Sequence, residues 1–214
     1  ALKCDIVTFH VPLNKSGVDK TTHLLNEKNI NLLKKSAILI NSSRGPVVSN
    51  EALKKRLDKK RDIHTVLDVW ETEPNYDSEL LELVEIGTPH IAGYSYEGKV
   101  NGTVMIYDAL SKYLGIDPHW KPELPQVMSN QIELNGSETQ EELLAKLFSK
   151  SYNIMGDDIL LRQGLNLSPD NRAEQFDMLR KTYRIRRELS NFKVLLNPEN
   201  EKFRDLLKVL RIQP

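Results

Sequence analysis

The sequence predicts an α/β protein: a parallel sheet wound on both faces with helices, followed by a small α+β module. Three observations predict it. Short apolar runs alternate with polar, helix-forming stretches over roughly the first 95 residues, the rhythm of strand–helix–strand units. Three prolines then fall within "IDPHWKPELPQ" (Ile116 to Gln126), a semi-rigid linker. Beyond it the rhythm changes to two isolated strands separated by long amphipathic stretches. The chain is therefore read as residues 1–115, the carboxyl part of a wound-sheet domain with a returning helix; 116–126, a linker; and 127–214, a module of about 90 residues, an ordinary domain size.

Each element has a local reason. "DIVTF" (Asp5 to Phe9) reads as a buried strand that stops at Pro12, which has no donor for a ladder. Asn26 can cap a helix through "EKNINLLKK", with Ile30 and Leu33 on one face. "SAILIN" is the next strand, and Ser49 can cap "NEALKKRLDKK", where Ala52, Leu53 and Leu57 recur at helical spacing. "IHTVLDVW" is a third strand, followed by the turn-rich "ETEPNYDS", a helical "ELLELV" and a short "EIGTPHIAG". "SYEGKVNGTVMIYDALSKYLG" carries a helical stripe of Val100, Val104, Ala109 and Leu110 that Gly115 ends, although Gly98 and Gly102 weaken its start. After the linker, "VMSNQIEL" alternates as a strand. Ser137 is a candidate cap for the helix "ETQEELLAKLFSK". "PDNRAEQFDMLRKTYRIRREL" reads as one longer helix with Pro169 near its start, "FKVLLN" as a strand and "PENEKFRDLLKVL" as a closing helix.

Composition narrows the function classes. Lys+Arg and Asp+Glu balance at 30 each, which argues against a dominant basic surface for nucleic acid. The basic clusters "KKRLDKKR" and "RKTYRIRR" read first as solvated helix faces. A single cysteine, Cys4, excludes a disulfide framework and fits a reducing cytoplasm. No apolar stretch approaches the ~20 residues that span a membrane, and "ALKCDIVTFHVP" lacks the form of a secretory signal and reads as the middle of a domain.

The chemistry gathers at strand ends. In "ILINSSRGPVV" an apolar strand runs through Asn41, Ser42 and Ser43 into Arg44, and Gly45–Pro46 forces a turn. Ligands of open α/β sheets bind at the carboxyl ends of strands, where a five-donor guanidinium suits a carboxylate. Asp68 and Glu73 flank the exit of the third strand in "DVWETEP", and His90 lies in "TPHIAGY". Arginine, carboxylate and histidine at neighbouring strand ends can form an acid–base site with an anion anchor. A lone histidine beside a proline is more often structural; the three in this order are much less common.

Together "DIVTFHVPL", "INSSRGPVV", "LDVWETEP" and "TPHIAG" resemble the second half of the dinucleotide domain of the D-2-hydroxyacid dehydrogenases. The resemblance implies a partial Rossmann-type, doubly wound parallel sheet, NAD as cofactor, and a small phosphorylated hydroxy acid as substrate. It implies Arg44 as the catalytic arginine gripping the substrate carboxylate, His90 as general acid/base, and Glu73 as the carboxylate that orients His90. Asp68 matches the nicotinamide contact. Val11, Ser42, Ser43, Arg44 and Gly93 match cofactor-side positions, and Tyr94 matches a substrate contact. It implies no metal, and a homodimer formed through the C-terminal module. Of the cations Arg180, Arg184, Arg186 and Arg187, a solvated face is the plainer reading; the alternative is that one meets the substrate phosphate from a partner subunit. His10, His23, His64 and His119 read as structural. The ten glycines contain no Gly-x-Gly-x-x-Gly, the loop that cradles a pyrophosphate on a helix N-terminus, so the chain reads as the carboxyl part of a longer enzyme. A non-catalytic scaffold or dimerisation remnant of the same fold, or another member of the family, is the alternative.

Overall fold

The computed structural model describes residues 2–127 and 129–214. Its strands are β1 (Ile6–Phe9), β2 (Ile38–Asn41), β3 (His64–Leu67), β4 (Ile86–Gly87), β5 (Gln131–Glu133) and β6 (Lys193–Leu195). Its helices are α1 (Asn50–Lys60), α2 (Ser78–Leu83), α3 (Tyr96–Leu114), α4 (Gln140–Ser151), α5 (Ile154–Arg162), α6 (Pro169–Lys181) and α7 (Arg204–Val209). The chain forms two compact units, Ala1–Ala92 with Ile154–Tyr183, and Gly93–Asn153 with Arg184–Pro214. This division does not coincide with the proline-rich segment.

The first unit is built on a parallel sheet in the order β1-β2-β3-β4. Phe9, Asn41, Leu67 and Gly87 lie level across it, so all four strands end along one edge. Alternate residues point inward: Val7 and Phe9, Leu39 and Asn41, Thr65 and Leu67 are buried. Ser49 caps α1 by accepting from the Ala52 N–H, and α1 buries Ala52, Leu53 and Leu57. Residues 27–35, expected to be an α-helix, make only a 3-10 turn over Ile30–Leu32. The cause is local amide competition: Asn29 Oδ1 accepts from the Asn26 N–H and Asn29 Nδ2 donates to the Leu24 carbonyl.

The helix α5, not foreseen in the sequence, is stapled to β4. Asp158 accepts the Gly87 N–H at 2.7 Å, and Arg162 grips Asp158 and the carbonyls of Leu81 and Val84. On α6, Phe176 is fully buried and packs against Tyr76, which in turn packs on Trp70. Both helices descend from the stretch 127–214 expected to be one module. Their contacts are distant in sequence, so no local pattern announces them. The long helix expected through Leu189 ends at Lys181; Thr182 turns its hydroxyl back to the Met178 carbonyl, and Arg184, Arg186 and Arg187 are not helical.

The second unit holds a two-stranded parallel sheet of β5 and β6. Its core contains Ile132, Leu143, Leu147, Phe192, Val194, Phe203 and Leu207. The cap of α4 is Thr139, which forms a reciprocal box with Glu142; Ser137 is not the cap. The strand expected over residues 127–134 is confined to Gln131–Glu133, and Met128 lies outside the described residues. Helix α3 is capped by Ser95 and closed by Gly115 in the left-handed region, φ +67°, yet only Glu97 and Ser111 of it are buried. Among the described residues no helix is long and apolar enough to cross a membrane.

Candidate active site

Three strand ends deliver the polar groups, and the parallel sheet is why they arrive together. Asn41, Leu67 and Gly87 are register partners at the ends of β2, β3 and β4. Arg44 follows β2 by three residues, Asp68 follows β3 directly, and His90 follows β4 by three.

At the exit of β2, Asn41 is buried and organises the turn. Its Oδ1 accepts from both the N–H and the hydroxyl of Ser43, and its Nδ2 donates to the Arg44 carbonyl. Ser42 is half-buried, and Arg44 is exposed, with Nη1 donating to the Ser43 carbonyl at 2.6 Å. Gly45 is required here. A Cβ on it would lie 1.9 Å from the Trp70 carbonyl oxygen, so only glycine lets the β2 exit press against the β3 exit.

At the exit of β3, the buried Asp68 faces the loop after β4. Its Oδ1 accepts from the Thr88 hydroxyl at 2.6 Å and the Ile91 N–H at 2.8 Å, and its Oδ2 accepts from the Ala92 N–H at 2.9 Å. Those bonds bracket His90, whose φ of +57° lies in the left-handed region that a non-glycine residue occupies only at a cost. Trp70, fully buried, adds an indole bond to the Thr88 carbonyl.

Glu73 completes the arrangement. Its Oε1 accepts from the Trp70 N–H at 2.8 Å, which fixes the carboxylate, and its Oε2 lies 2.7 Å from His90 Nδ1. Both side chains are largely covered, at 19% and 29% exposure, so the pair is shielded but reachable. Nδ1 is thereby committed to the carboxylate, and Nε2 is the nitrogen turned away from it.

The structure thus pairs Glu73 with His90, sets Asp68 under the His90 loop and brings Arg44 out at the same sheet edge. Val11, two residues past β1, is half-buried against the core. Gly93 and Tyr94 belong to the second unit. Asn41 and Thr88 were missed by sequence reasoning. For Asn41 a signal existed: it shares the inward face of β2 with Leu39, where a polar side chain needs a partner. Of the histidines left as structural, His23 meets Glu71 at 3.1 Å, His64 meets Glu85 at 2.5 Å and His10 meets Thr8 at 2.8 Å.

Residues 1–92 match the family model described as D-isomer specific 2-hydroxyacid dehydrogenase, NAD binding domain, and residues 123–210 match a domain of unknown function, DUF3410. The erythronate-4-phosphate dehydrogenase of Cellvibrio japonicus is 42% identical over 214 residues, 98% of this chain and 57% of that protein. That of Proteus mirabilis is 43% identical over 195 residues, 90% of this chain and 50% of that protein. The chain spans about half the length of the curated relatives it matches. Among solved structures, the NAD-complexed D-isomer specific 2-hydroxyacid dehydrogenase of Lactobacillus delbrueckii ssp. bulgaricus is 34% identical, covers 55% of this chain and 39% of its own, and has a TM-score of 0.44. By sequence, residues 1–92 belong to the NAD-binding domain of the D-isomer specific 2-hydroxyacid dehydrogenases.

Proposed function

We propose that this chain carries the catalytic groups for NAD-dependent oxidation of 4-phospho-D-erythronate at its 2-hydroxyl, a step in pyridoxine biosynthesis. The observation that carries the reading is the Glu73–His90 pair, 2.7 Å apart, level with the exit that bears Arg44. Arg44 grips the substrate carboxylate through its planar fork and draws charge toward the reacting carbon. His90 Nε2 takes the hydroxyl proton as the C–H bond breaks, and Glu73 holds the ring in place and balances the imidazolium that forms. NAD supplies the hydride acceptor.

The residues present fit the nicotinamide half of that cofactor. Among the described residues Asp68 Oδ2 receives the Ala92 N–H alone and keeps acceptor capacity for a carboxamide. Ser42, Ser43 and Val11 line the same sheet edge, Val11 as an apolar contact. Pairing of two subunits through the second unit is supported by β5, an edge strand of a two-stranded sheet. A single free cysteine, Cys4, supports placement in the cytoplasm.

The test uses the full-length enzyme and follows NADH formation from 4-phospho-D-erythronate. Arg44→Lys keeps the charge and loses the fork, so kcat/KM should fall by about 100-fold or more. Near-normal turnover in that variant would remove Arg44 from the mechanism.

A further inference from the structure

Within the first unit, the turn that carries Arg44 away from β2 is clasped from outside by an upstream loop. The His23 N–H donates to the Pro46 carbonyl at 2.7 Å, and the Leu25 N–H to the Val47 carbonyl at 3.2 Å. The Ser49 N–H returns a bond to the Leu25 carbonyl at 2.9 Å, so residues 23–25 run beside 46–49 as a short parallel pairing. On the other side of the turn, a Cβ on Gly45 would lie 2.6 Å from the Glu71 nitrogen, so the backbone of Glu71 presses on it. The side chains of His23 and Glu71 then meet each other, Nε2 to Oε1, at 3.1 Å. That same Oε1 accepts from the N–H of Asn50, the first residue of α1, at 2.7 Å.

Stability alone does not account for this pair. His23 adopts φ +52°, a left-handed conformation that glycine holds at less cost, so the residue is of use there for its side chain. That side chain is 46% exposed and that of Glu71 25%, and ion pairs so open to water contribute little to stability. The start of α1 does not depend on the imidazole either. Ser49 caps the helix through the Ala52 N–H, and Glu71 serves the Asn50 N–H with or without His23. What the pair does fix is a distance: it ties residue 23 to the exit of β3, with the Gly45–Pro46 turn held between them. From inside, Asn41 Nδ2 donates to the Arg44 carbonyl. Arg44 therefore leaves the sheet between an inner tie and an outer clasp.

We propose that His23 and Glu71 are positioning residues that act through Arg44, fixing the turn from which its guanidinium reaches the substrate carboxylate. The proposal rests on the functional reading above, in which Arg44 grips that carboxylate. An arginine fork meets a carboxylate through two bonds at once, so the backbone that bears it must be held closely. The Arg44 side chain is exposed and is not placed by core packing, which leaves its turn as the part to be held.

The test is a double-mutant cycle on the full-length enzyme, following NADH formation from 4-phospho-D-erythronate. His23→Ala should lower kcat/KM by about 10-fold, chiefly through KM for the hydroxy acid, within the ~100-fold that a misplaced clamp costs. His23→Gln, which returns an N–H donor to Glu71, should recover most of that loss. In an Arg44→Lys background His23→Ala should lower the value by less than about 2-fold further, because the residue through which it acts is already impaired. Glu71→Gln keeps an acceptor for the Asn50 N–H and weakens only the clasp. It should show a smaller loss with the same non-additivity, and it carries the cycle should His23→Ala not fold. Wild-type kcat/KM in the single variants overturns the assignment while the proposed activity stands, as does a loss that adds in full to that of Arg44→Lys. Near-normal turnover in Arg44→Lys overturns both.

Discussion

The exits of β3 and β4 and the helix α3 are two ways of holding a polypeptide in place. At these exits and at that of β2, the supporting groups are fixed by hydrogen bonds: Asp68 by three donors, Glu73 by the Trp70 N–H, Asn41 by the turn it organises. Helix α3 has the opposite character. It runs for 19 residues, yet Ile106, Leu110 and Tyr113 remain exposed and its order rests on its caps and on the Glu97–Arg187 clamp. Burying polar groups with all their partners makes rigid, high-stakes structure; capping and one clamp make a helix that tolerates change along most of its length.

The largest effect should come from Asp68→Ala. It leaves the Thr88 hydroxyl and the Ile91 and Ala92 N–H groups without their acceptor and frees the strained His90 backbone. Unfolding of the first unit in urea should be easier by about 3 kcal/mol or more. A loss under about 1 kcal/mol would mean the exits are less rigidly braced than these bonds imply.

Next in size is Arg187→Met. Burial alone would raise the Glu97 carboxyl, but hydrogen bonds from Arg187 and the Glu188 N–H hold it below the usual carboxylate range. Removing the guanidinium strands a nearly buried charge at a cost of about 2 kcal/mol, with hydrogen exchange accelerating in the first turn of α3. Unchanged exchange there would show that the caps alone secure the helix.

The smallest effect concerns acid stability in the second unit. The Lys146 ammonium and the Asn135 N–H hold the Glu138 carboxyl down, from its ordinary 4.5 to about 2. A depressed folded-state value contributes stability that is complete above about 4.5 and lost as pH falls toward 2. Glu138→Gln should therefore flatten the fall in melting temperature across that window, while leaving the first unit's acid response unchanged. An identical acid profile in the variant would mean that this pair contributes nothing there.

The same contrast governs how much could be read from the sequence. Strand ends were legible because an apolar run that breaks into Arg44–Gly45–Pro46, or into Thr88–Pro89–His90, changes chemistry within a few residues. The Ser49 cap and the Gly115 terminus were legible for the same local reason. Position α5 and Phe176 defeated the reading because their partners, Gly87 and Tyr76, lie far away in the chain. Asn29 defeated it differently: its side chain outcompeted the helix that its neighbours' spacing suggested. Of the candidate site, residue types and order were visible, but the buried supports Asn41 and Thr88 acquire meaning only when β2, β3 and β4 are aligned.

The central claim is that the Glu73-bound imidazole is the group that moves the proton. Its most direct test is the rate of NADH formation from 4-phospho-D-erythronate by the full-length enzyme, wild type against His90→Gln. The account expects kcat to fall by about 100- to 10,000-fold, the range for loss of a general base, with the protein still folded. A His90→Gln enzyme that turns over at the wild-type rate would contradict it.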